Sequence, residues 1–171
     1  MFRVYLGLGS NIGDRLNFLS KALKELNKIT FVKLVSSIYE TEPWGVINQE
    51  RFYNTVIEIE TEFYPLDLFN KIQKIETKLG RKKLSHMDPR TIDIDILFYH
   101  GWSFENNTLT IPHPELERRR FVLEPISEIA PLAVHPIIGK TMISLLRHCR
   151  DKSLVMRTTH SLTINHTKRE G

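Results

Sequence analysis

The pattern of apolar and polar positions predicts four β-strands in the first hundred residues. Three are predicted at 2–8, 31–40 and 52–63, and the last of these alternates with a period of two, which is typical of a strand with one buried face. A fourth strand is predicted in the stretch DPRTIDIDILFY, residues 88–99, where the isoleucines at 92, 94 and 96 share a face with Phe98. The opposite face of that strand then carries Asp93 and Asp95. Two like charges side by side are costly to bury, so a cationic partner is expected there.

Apolar residues at helical spacing lie between these strands. Leu16, Leu19, Leu23 and Leu26 predict a first helix, with Asp14 as its N-cap. A second helix is predicted to begin at Pro65 and to end at Gly80, because proline suits the first helical turn and glycine the C-terminal end. Its expected buried stripe is Leu66, Phe69, Ile72, Ile75 and Leu79.

The last third of the chain predicts a hairpin and short helices. The hairpin is expected over 100–113, with a short strand at 108–111, and helical segments are expected at 115–119, 121–129 and 141–149. The order β-α-β-β-α-β, followed by the hairpin and helices, favours a ferredoxin-like α+β sandwich. We expect one domain over residues 1–157 and a weakly ordered basic tail over residues 158–171. Truncation after Asp151 should leave the kinetics unchanged.

Composition and charge narrow the class of protein. A chain of 171 residues that is 41% hydrophobic can form one domain with its own core. Its single cysteine, Cys149, excludes an internal disulfide, and no stretch approaches the roughly 18 apolar residues of a membrane helix, so a cytoplasmic protein without membrane binding is expected. The net charge of +4 equals the balance of six basic and two acidic residues from Arg147 onward, so the basicity belongs to the C-terminal segment.

The two aspartates on the fourth strand are the first candidate for chemistry. Side chains two residues apart on a strand lie on one face about 7 Å apart and can share cations. Mg²⁺ takes carboxylate oxygens together with water and substrate phosphates, and Arg90 would suit a polyphosphate nearby. Phosphoryl transfer with Mg²⁺ is therefore a plausible function. The alternative is a pair of solvated aspartates on an edge strand.

Other polar residues agree with that hypothesis but have simpler explanations when each is taken alone. Gln73, Glu76 and Arg81 could be solvated helix residues, and His113 could be structural. Asn54 stands out on an apolar strand, because a buried amide needs hydrogen-bond partners. The glycines of GLGSNIGD do not match a dinucleotide fingerprint, and their simplest role is a tight strand-to-helix turn. A close backbone approach to a ligand is the alternative.

Five segments carry a resemblance to a known family. They are GLGSNIGDR, SSIYETEPWG, RFYNTVIEIET, DPRTIDIDIL and IPHPELERRRFVLEPISEIAP. Together, in order from about Tyr5 to Pro136, they resemble 6-hydroxymethyl-7,8-dihydropterin pyrophosphokinase of folate biosynthesis. The resemblance implies an ATP-dependent diphosphotransferase that moves the β,γ-pyrophosphoryl group of ATP to the pterin hydroxymethyl group and releases AMP.

The resemblance also implies the residues of the site. Asp93 and Asp95 would hold two Mg²⁺ ions, and with Arg81 and Arg90 would form the catalytic set. ATP binding is implied for Gln73, Glu76, Arg81, Arg90, Ile96, Thr110, His113 and Arg119. Pterin binding is implied for Gly9, Thr41, Glu42, Pro43, Trp44, Phe52, Asn54, Asp93 and Phe121, with the ring between Phe52 and Phe121.

Departures from the family concern the segment 81–87, which looks about one residue short and has Met87 where the family often has tryptophan. Pro114 follows the histidine where an aromatic residue can stand in the family. Two functions of other classes remain open at this point: a ferredoxin-like RNA-binding module, suggested by the pI of about 9.2, and a nucleotide-binding regulatory module without catalysis. We expect a monomer that does not bind nucleic acid, with association with neighbouring folate-pathway enzymes as a further expectation.

Overall fold

A six-stranded antiparallel sheet organises the computed structural model, which describes residues 1–43, 48–82 and 88–164. The strands are β1 (Phe2–Ser10), β2 (Phe31–Val35), β3 (Tyr39–Thr41), β4 (Phe52–Thr61), β5 (Asp93–Tyr99) and β8 (Val155–Arg157). Their order is β5-β1-β4-β3-β8, and β2 pairs with β4 as well. A separate hairpin joins β6 (Phe104–Glu105) to β7 (Thr110–Ile111). The predicted ferredoxin-like order with an added hairpin is confirmed.

Strand β1 lies inside the sheet and pairs along its whole length with β4, from Phe2 opposite Thr61 to Ser10 opposite Tyr53. Its other edge pairs with β5, where Gly9 lies opposite Asp93. The ends of β1, β4 and β5 therefore meet, and the loops that enter β4 and β5 lie on either side of the end of β1.

The helices are α1 (Arg15–Ile29), α2 (Pro65–Lys78), α3 (Arg120–Ile129) and α4 (Met142–Arg147), with a 3₁₀ turn at Leu116–Arg118. Asp14 caps α1 by accepting a hydrogen bond from the Asn17 N–H, as predicted. The predicted stripe of α2 is wrong at Leu66, which is exposed, whereas Leu68 is fully buried. With Pro65 buried at the start of the helix, Leu68 and Ile72 follow it at helical spacing, and Leu66 points about 100° away.

The predicted second strand, 31–40, is two strands in the structure. Ser36 interrupts the ladder because its hydroxyl, rather than a main-chain carbonyl, accepts the Val56 N–H at 2.9 Å. Phe31 lies opposite Glu60 and Tyr39 lies opposite Asn54. The chain from β2 to β3 therefore uses eight residues where β4 uses six, and the extra residues are accommodated as in β-bulges.

The predicted helix at 121–129 is confirmed as α3, whereas the segments predicted at 115–119 and 141–149 are shorter, at Leu116–Arg118 and Met142–Arg147. The strand predicted at 108–111 begins at Thr110, because the Asn106 side chain accepts the N–H groups of Thr108 and Leu109 in a turn.

The C-terminal strand β8 was not predicted. It adds to the free edge of β3, with Arg157 opposite Tyr39. Thr158 then donates from its N–H and its hydroxyl to the Ile38 carbonyl, at 2.9 and 2.8 Å. Leu162 and Ile164 pack against the core. The segment predicted as a tail, 158–171, thus contacts the domain at least as far as Ile164, and residues 165–171 lie outside the described part of the chain.

None of the helices that the structure describes has both the length and the apolar character needed to cross a membrane.

Candidate active site

A cavity of about 810 Å³ lies where β1, β4 and β5 end. Its floor is open because the positions of β1 that face it are Gly7 and Gly9. Gly9 lies between Asn54 on β4 and Asp93 on β5, and strand spacing places those two residues about 10 Å apart. Both glycines lie within β1, so the turn explanation is wrong for them. It holds for Gly13, whose φ is +69°.

The β4 side of the cavity is built around an amide. Asn54 donates from Nδ2 to the hydroxyl of Thr41 at 2.7 Å, and Thr41 is buried at the end of β3. A Cβ added at Gly9 would lie 2.5 Å from Asn54 Oδ1, so glycine leaves the room that this position of the amide needs. Phe52 and Phe121, both half-buried, line the same cavity. A flat polar ring can therefore find aromatic faces and an amide together.

The β5 side of the cavity is a charged cluster. Asp93 pairs with Arg81 at 2.7 Å and with Arg90, and Arg81 also contacts Glu76. Glu76 is buried and accepts the Ile94 N–H at 2.7 Å. Burial raises the pKa of Glu76, and Arg81 opposes that rise. Although burial lowers the pKa of Arg81, the charges of Asp93 and Glu76 outweigh that effect and raise it.

Asp95 shares this face and titrates in an unusual range. Burial, followed by the charge of Asp93, raises the pKa of Asp95 to about 7, although Arg119 opposes the rise. A cation that enters the cavity would stabilise the ionised form of this carboxyl group, because a nearby positive charge lowers the pKa of an acid.

His113 has a defined tautomer. Its Nδ1 accepts the Glu115 N–H at 3.1 Å, which leaves the proton on Nε2. Burial, followed by the charge of Arg119, lowers the pKa of His113, so the ring is neutral at neutral pH. It is therefore a neutral hydrogen-bond donor at the cavity wall.

The structure brings nearly all the predicted site residues together. Those lining the main cavity are Gly9, Thr41, Glu42, Pro43, Phe52, Asn54, Gln73, Glu76, Arg81, Arg90, Asp93, Asp95, His113, Arg119 and Phe121. Ile96 and Thr110 line an adjoining cavity of about 290 Å³, which shares Asp95 and His113 with the first. Trp44 and Met87 lie outside the described residues.

Several lining residues were missed from the sequence. Phe69 was assigned to the helix core, yet it borders both cavities, as does Thr108 from the hairpin turn. Gln49 and Asp88 belong to the loops that precede β4 and β5, and neither was assigned a role, although Asp88 begins the segment DPRTIDIDIL. These loops lie at the cavity because β4 and β5 both pair with β1. A prediction of the strand order could therefore have indicated that their residues line the site.

The donor set at Asp93 and Asp95 suits a metal that arrives with its own ligands. Among the described residues there is no cluster of three or more His, Cys, Asp or Glu that could form an all-protein metal site. Mg²⁺ commonly binds one or two carboxylates together with water and substrate phosphates. Two carboxylates on one face of β5 fit that pattern, and the raised pKa of Asp95 agrees with a site made for a cation.

Comparison with known proteins identifies the family. The family described as 7,8-dihydro-6-hydroxymethylpterin-pyrophosphokinase (HPPK) matches residues 5–131. The chain belongs to this family. The 2-amino-4-hydroxy-6-hydroxymethyldihydropteridine pyrophosphokinase of Aquifex aeolicus is 42% identical over 142 residues, covering 83% of this chain and 89% of the relative.

Longer proteins also contain this HPPK domain. The bifunctional protein FolKE of Lactococcus lactis subsp. cremoris is 40% identical over 131 residues, covering 75% of this chain and 38% of the relative. A crystal structure of Plasmodium falciparum HPPK-DHPS has the same fold, with a TM-score of 0.72, 18% identity, and coverage of 86% of this chain and 44% of the other. The chain thus spans less than half of each of these two proteins.

Proposed function

We propose that the cavity transfers pyrophosphate from ATP to the hydroxymethyl group of 6-hydroxymethyl-7,8-dihydropterin, giving the pterin diphosphate and AMP in folate biosynthesis. Membership of the HPPK family supports the reaction. The location of the reaction in this cavity is supported by the positions of Asn54 and Asp93, which lie on either side of Gly9. An amide suited to a flat ring and a carboxylate cluster suited to a metal polyphosphate then share one cavity.

The pterin site of this proposal is the β4 side. Phe52 and Phe121 offer faces for the ring, and Asn54 offers an amide that can both donate and accept hydrogen bonds. Thr41 fixes that amide through its hydroxyl. A pterin whose ring lies here would direct its hydroxymethyl group toward β5, where the phosphates are proposed to bind.

The ATP site of this proposal extends from the β5 side into the smaller cavity. Arg81, Arg90 and Arg119 supply positive charge around the polyphosphate, which is the main requirement of phosphoryl transfer. Neutral His113 adds a hydrogen-bond donor. Ile96 and Thr110, in the smaller cavity, are proposed to contact the rest of the nucleotide.

The metal ions of this proposal, two Mg²⁺ bound with ATP, would be held by Asp93 and Asp95. When bound, they would supply positive charge to the phosphate oxygens at the reacting centre. The residues of the chain then have separate tasks: the carboxylates hold the metal, the arginines neutralise phosphate charge, and the aromatic side orients the acceptor.

Location and partners complete the proposal. A single cysteine, Cys149, which is free and buried, agrees with a reducing cytoplasmic compartment.

We propose that one chain suffices for activity and that it does not bind nucleic acid, since the charged cavity presents carboxylates. Association with other folate-pathway enzymes is proposed because the bifunctional FolKE and HPPK-DHPS chains join such a domain to other sequence. Co-purification of tagged protein would test it.

The test of the reaction is chromatographic identification of the nucleotide product. AMP should form only when ATP, Mg²⁺ and 6-hydroxymethyl-7,8-dihydropterin are all present. ADP as the product would overturn pyrophosphoryl transfer while keeping a nucleotide site. No turnover together with binding of RNA would favour the binding-module hypothesis instead.

A further inference from the structure

A buried asparagine lies directly after β1, at the point where the two sides of the cavity meet. Asn11 is only 2% exposed. Its Oδ1 accepts the Arg90 N–H at 2.8 Å, and its own N–H donates to the Arg90 carbonyl at 3.1 Å. Its Nδ2 donates to Gln49 Oε1 at 3.1 Å and to the Glu50 carbonyl at 3.2 Å.

These contacts give a partner to both N–H donors and to the carbonyl oxygen of the amide group. An asparagine side chain has two N–H donors and one carbonyl acceptor, and each has a partner here. The orientation of the amide is also determined, because the Arg90 N–H can only donate and the Glu50 carbonyl can only accept. Serine, alanine and aspartate would each leave at least one buried partner unsatisfied.

The partners of Asn11 belong to two different loops. Gln49 and Glu50 precede β4, on the side of Asn54, and Arg90 precedes β5, on the side of Asp93. Both Gln49 and Arg90 line the cavity. Because β1 lies between β4 and β5, the side chain of a residue at its end can reach both loops.

We propose that Asn11 is a positioning residue that couples the pterin side of the cavity to the polyphosphate side. It holds the main chain of Arg90 at two points, and so orients the guanidinium that pairs with Asp93. It holds the loop before β4 through Gln49 and Glu50 at the same time. Occupation of one side therefore favours the arrangement that the other side needs. This inference rests on the proposed function of the cavity.

The binding experiment measures that coupling without turnover. The affinity of a non-hydrolysable ATP analogue with Mg²⁺ is measured by calorimetry with and without 6-hydroxymethyl-7,8-dihydropterin, and the reciprocal measurement must give the same factor. We expect binding of either ligand to tighten the other in the wild type, and Asn11→Ala to reduce that factor by about fivefold or more. A purely structural asparagine would change the melting temperature and leave the factor unchanged.

A double-mutant cycle tests the route through Arg90. Asn11→Ala should lower kcat by about 10–100-fold, because small displacements of a catalytic group are costly. In an Arg90→Ala background the same change should cost about twofold or less, since the guanidinium it orients is already gone. The matched control is Asn27→Ala, which removes an amide that accepts the Val32 N–H away from the cavity. It should leave both kcat and the coupling factor as in the wild type.

The outcomes separate this inference from the proposed function. A wild type without ligand coupling, or an Asn11→Ala protein with undiminished coupling, overturns the role of Asn11 even if AMP is formed normally. A wild type that forms no AMP overturns the proposed function, whatever its coupling. Should Asn11→Ala fail to fold, Gln49→Ala removes one acceptor of the same amide and carries the same expected loss of coupling.

Discussion

Arg81 Nη1 lies 2.7 Å from Asp93 Oδ1. The arginine expected to bind the polyphosphate is therefore held by the carboxylate expected to bind its metal. Arg90 pairs with the same carboxylate, and Glu76 contacts Arg81 from the other side. Without substrate these charges neutralise one another. On the proposed function, Asp93 would hold the metal of a bound metal polyphosphate and the two arginines would hold its phosphates.

Arg81→Ala should have opposite effects on catalysis and on Mg²⁺ binding. Loss of the guanidinium removes charge stabilisation of the transferring group, so kcat should fall by about 10²–10³-fold. Asp93 would at the same time lose a competing cation, so Mg²⁺ alone should bind more tightly than to the wild type. Steady-state kinetics and calorimetry with Mg²⁺ measure the two effects.

Arg118→Ala is the matched control for Arg81, because Arg118 is exposed and pairs only weakly with nearby glutamates outside the cavity. It should leave kcat and Mg²⁺ binding unchanged. Equal losses in both variants would mean that general charge, not the pairing with Asp93, governs the reaction.

Gly9→Ala should act through Asn54. The added methyl group would lie 2.5 Å from Asn54 Oδ1, so the amide must move away from its Thr41 partner. We expect the KM for the pterin to rise by about tenfold or more, with a much smaller change for ATP. Gly7→Ala gives the comparison on the same strand, since its methyl group would meet Leu97 at an ordinary 3.4 Å. A pterin KM that rises equally in both variants would contradict the role of Asn54.

Glu128 on α3 should contribute pH-dependent stability. It accepts hydrogen bonds from the Ser37 N–H at 3.0 Å, the Ser37 hydroxyl at 2.9 Å and the Tyr39 hydroxyl at 2.7 Å. Burial alone would raise the pKa of Glu128, but these bonds outweigh it and lower the pKa below the ordinary 4.5. The stabilisation is therefore complete above about pH 4.5 and is lost as the pH falls through the lowered value.

Glu128→Gln should reduce the free energy of unfolding by about 1–2 kcal/mol at neutral pH, a figure reduced for partial exposure. The difference from the wild type should shrink towards zero on acidification below pH 4.5. Denaturant titrations across pH 3–7 would measure it. Glu124→Gln, which loses a partly exposed pair with Arg120, is the control and should show a smaller difference. A constant difference across this pH range would contradict the account of Glu128.

Removal of β8 should affect the site, contrary to what the sequence led us to expect of the C-terminal segment. Truncation after Leu154 deletes the strand that pairs with β3, and β3 leads directly into the pterin-side residues Thr41, Glu42 and Pro43. We expect lower stability and a higher KM for the pterin, measured by thermal unfolding and kinetics. Truncation after Ile164 keeps all these contacts and is the control. Unchanged kinetics after the longer deletion would show that β3 needs no support from β8.

Local patterns predicted the main strands and the second helix. β1, β4 and β5 overlap the predicted strands, and Pro65 and Gly80 bound α2 as expected, with Gly80 at a φ of +86°. Side-chain hydrogen bonds were harder to foresee. The break at Ser36 depends on its bond to the Val56 N–H, which a pattern of apolar and polar residues does not encode.

Long-range contacts explain the rest of what was missed. The short β8 forms because β3 has a free edge, and a three-residue segment has too little pattern to predict that pairing. Glu76 could have been a solvated helix residue by itself, yet it is buried because Ile94 and Arg81 satisfy it. The resemblance to the family supplied the site residues as a set. The pairing of Asp93 with both arginines is visible only from their positions in space.

The most direct measurement is ³¹P NMR of the products formed from ATP and 6-hydroxymethyl-7,8-dihydropterin with Mg²⁺, by the wild type and by Asp95→Ala. The account predicts a pterin diphosphate and AMP in equal amounts for the wild type. It predicts neither product for the variant, whose circular dichroism spectrum should remain that of the wild type, because Asp95 faces the cavity. A pterin monophosphate with ADP, or normal turnover by Asp95→Ala, would contradict it.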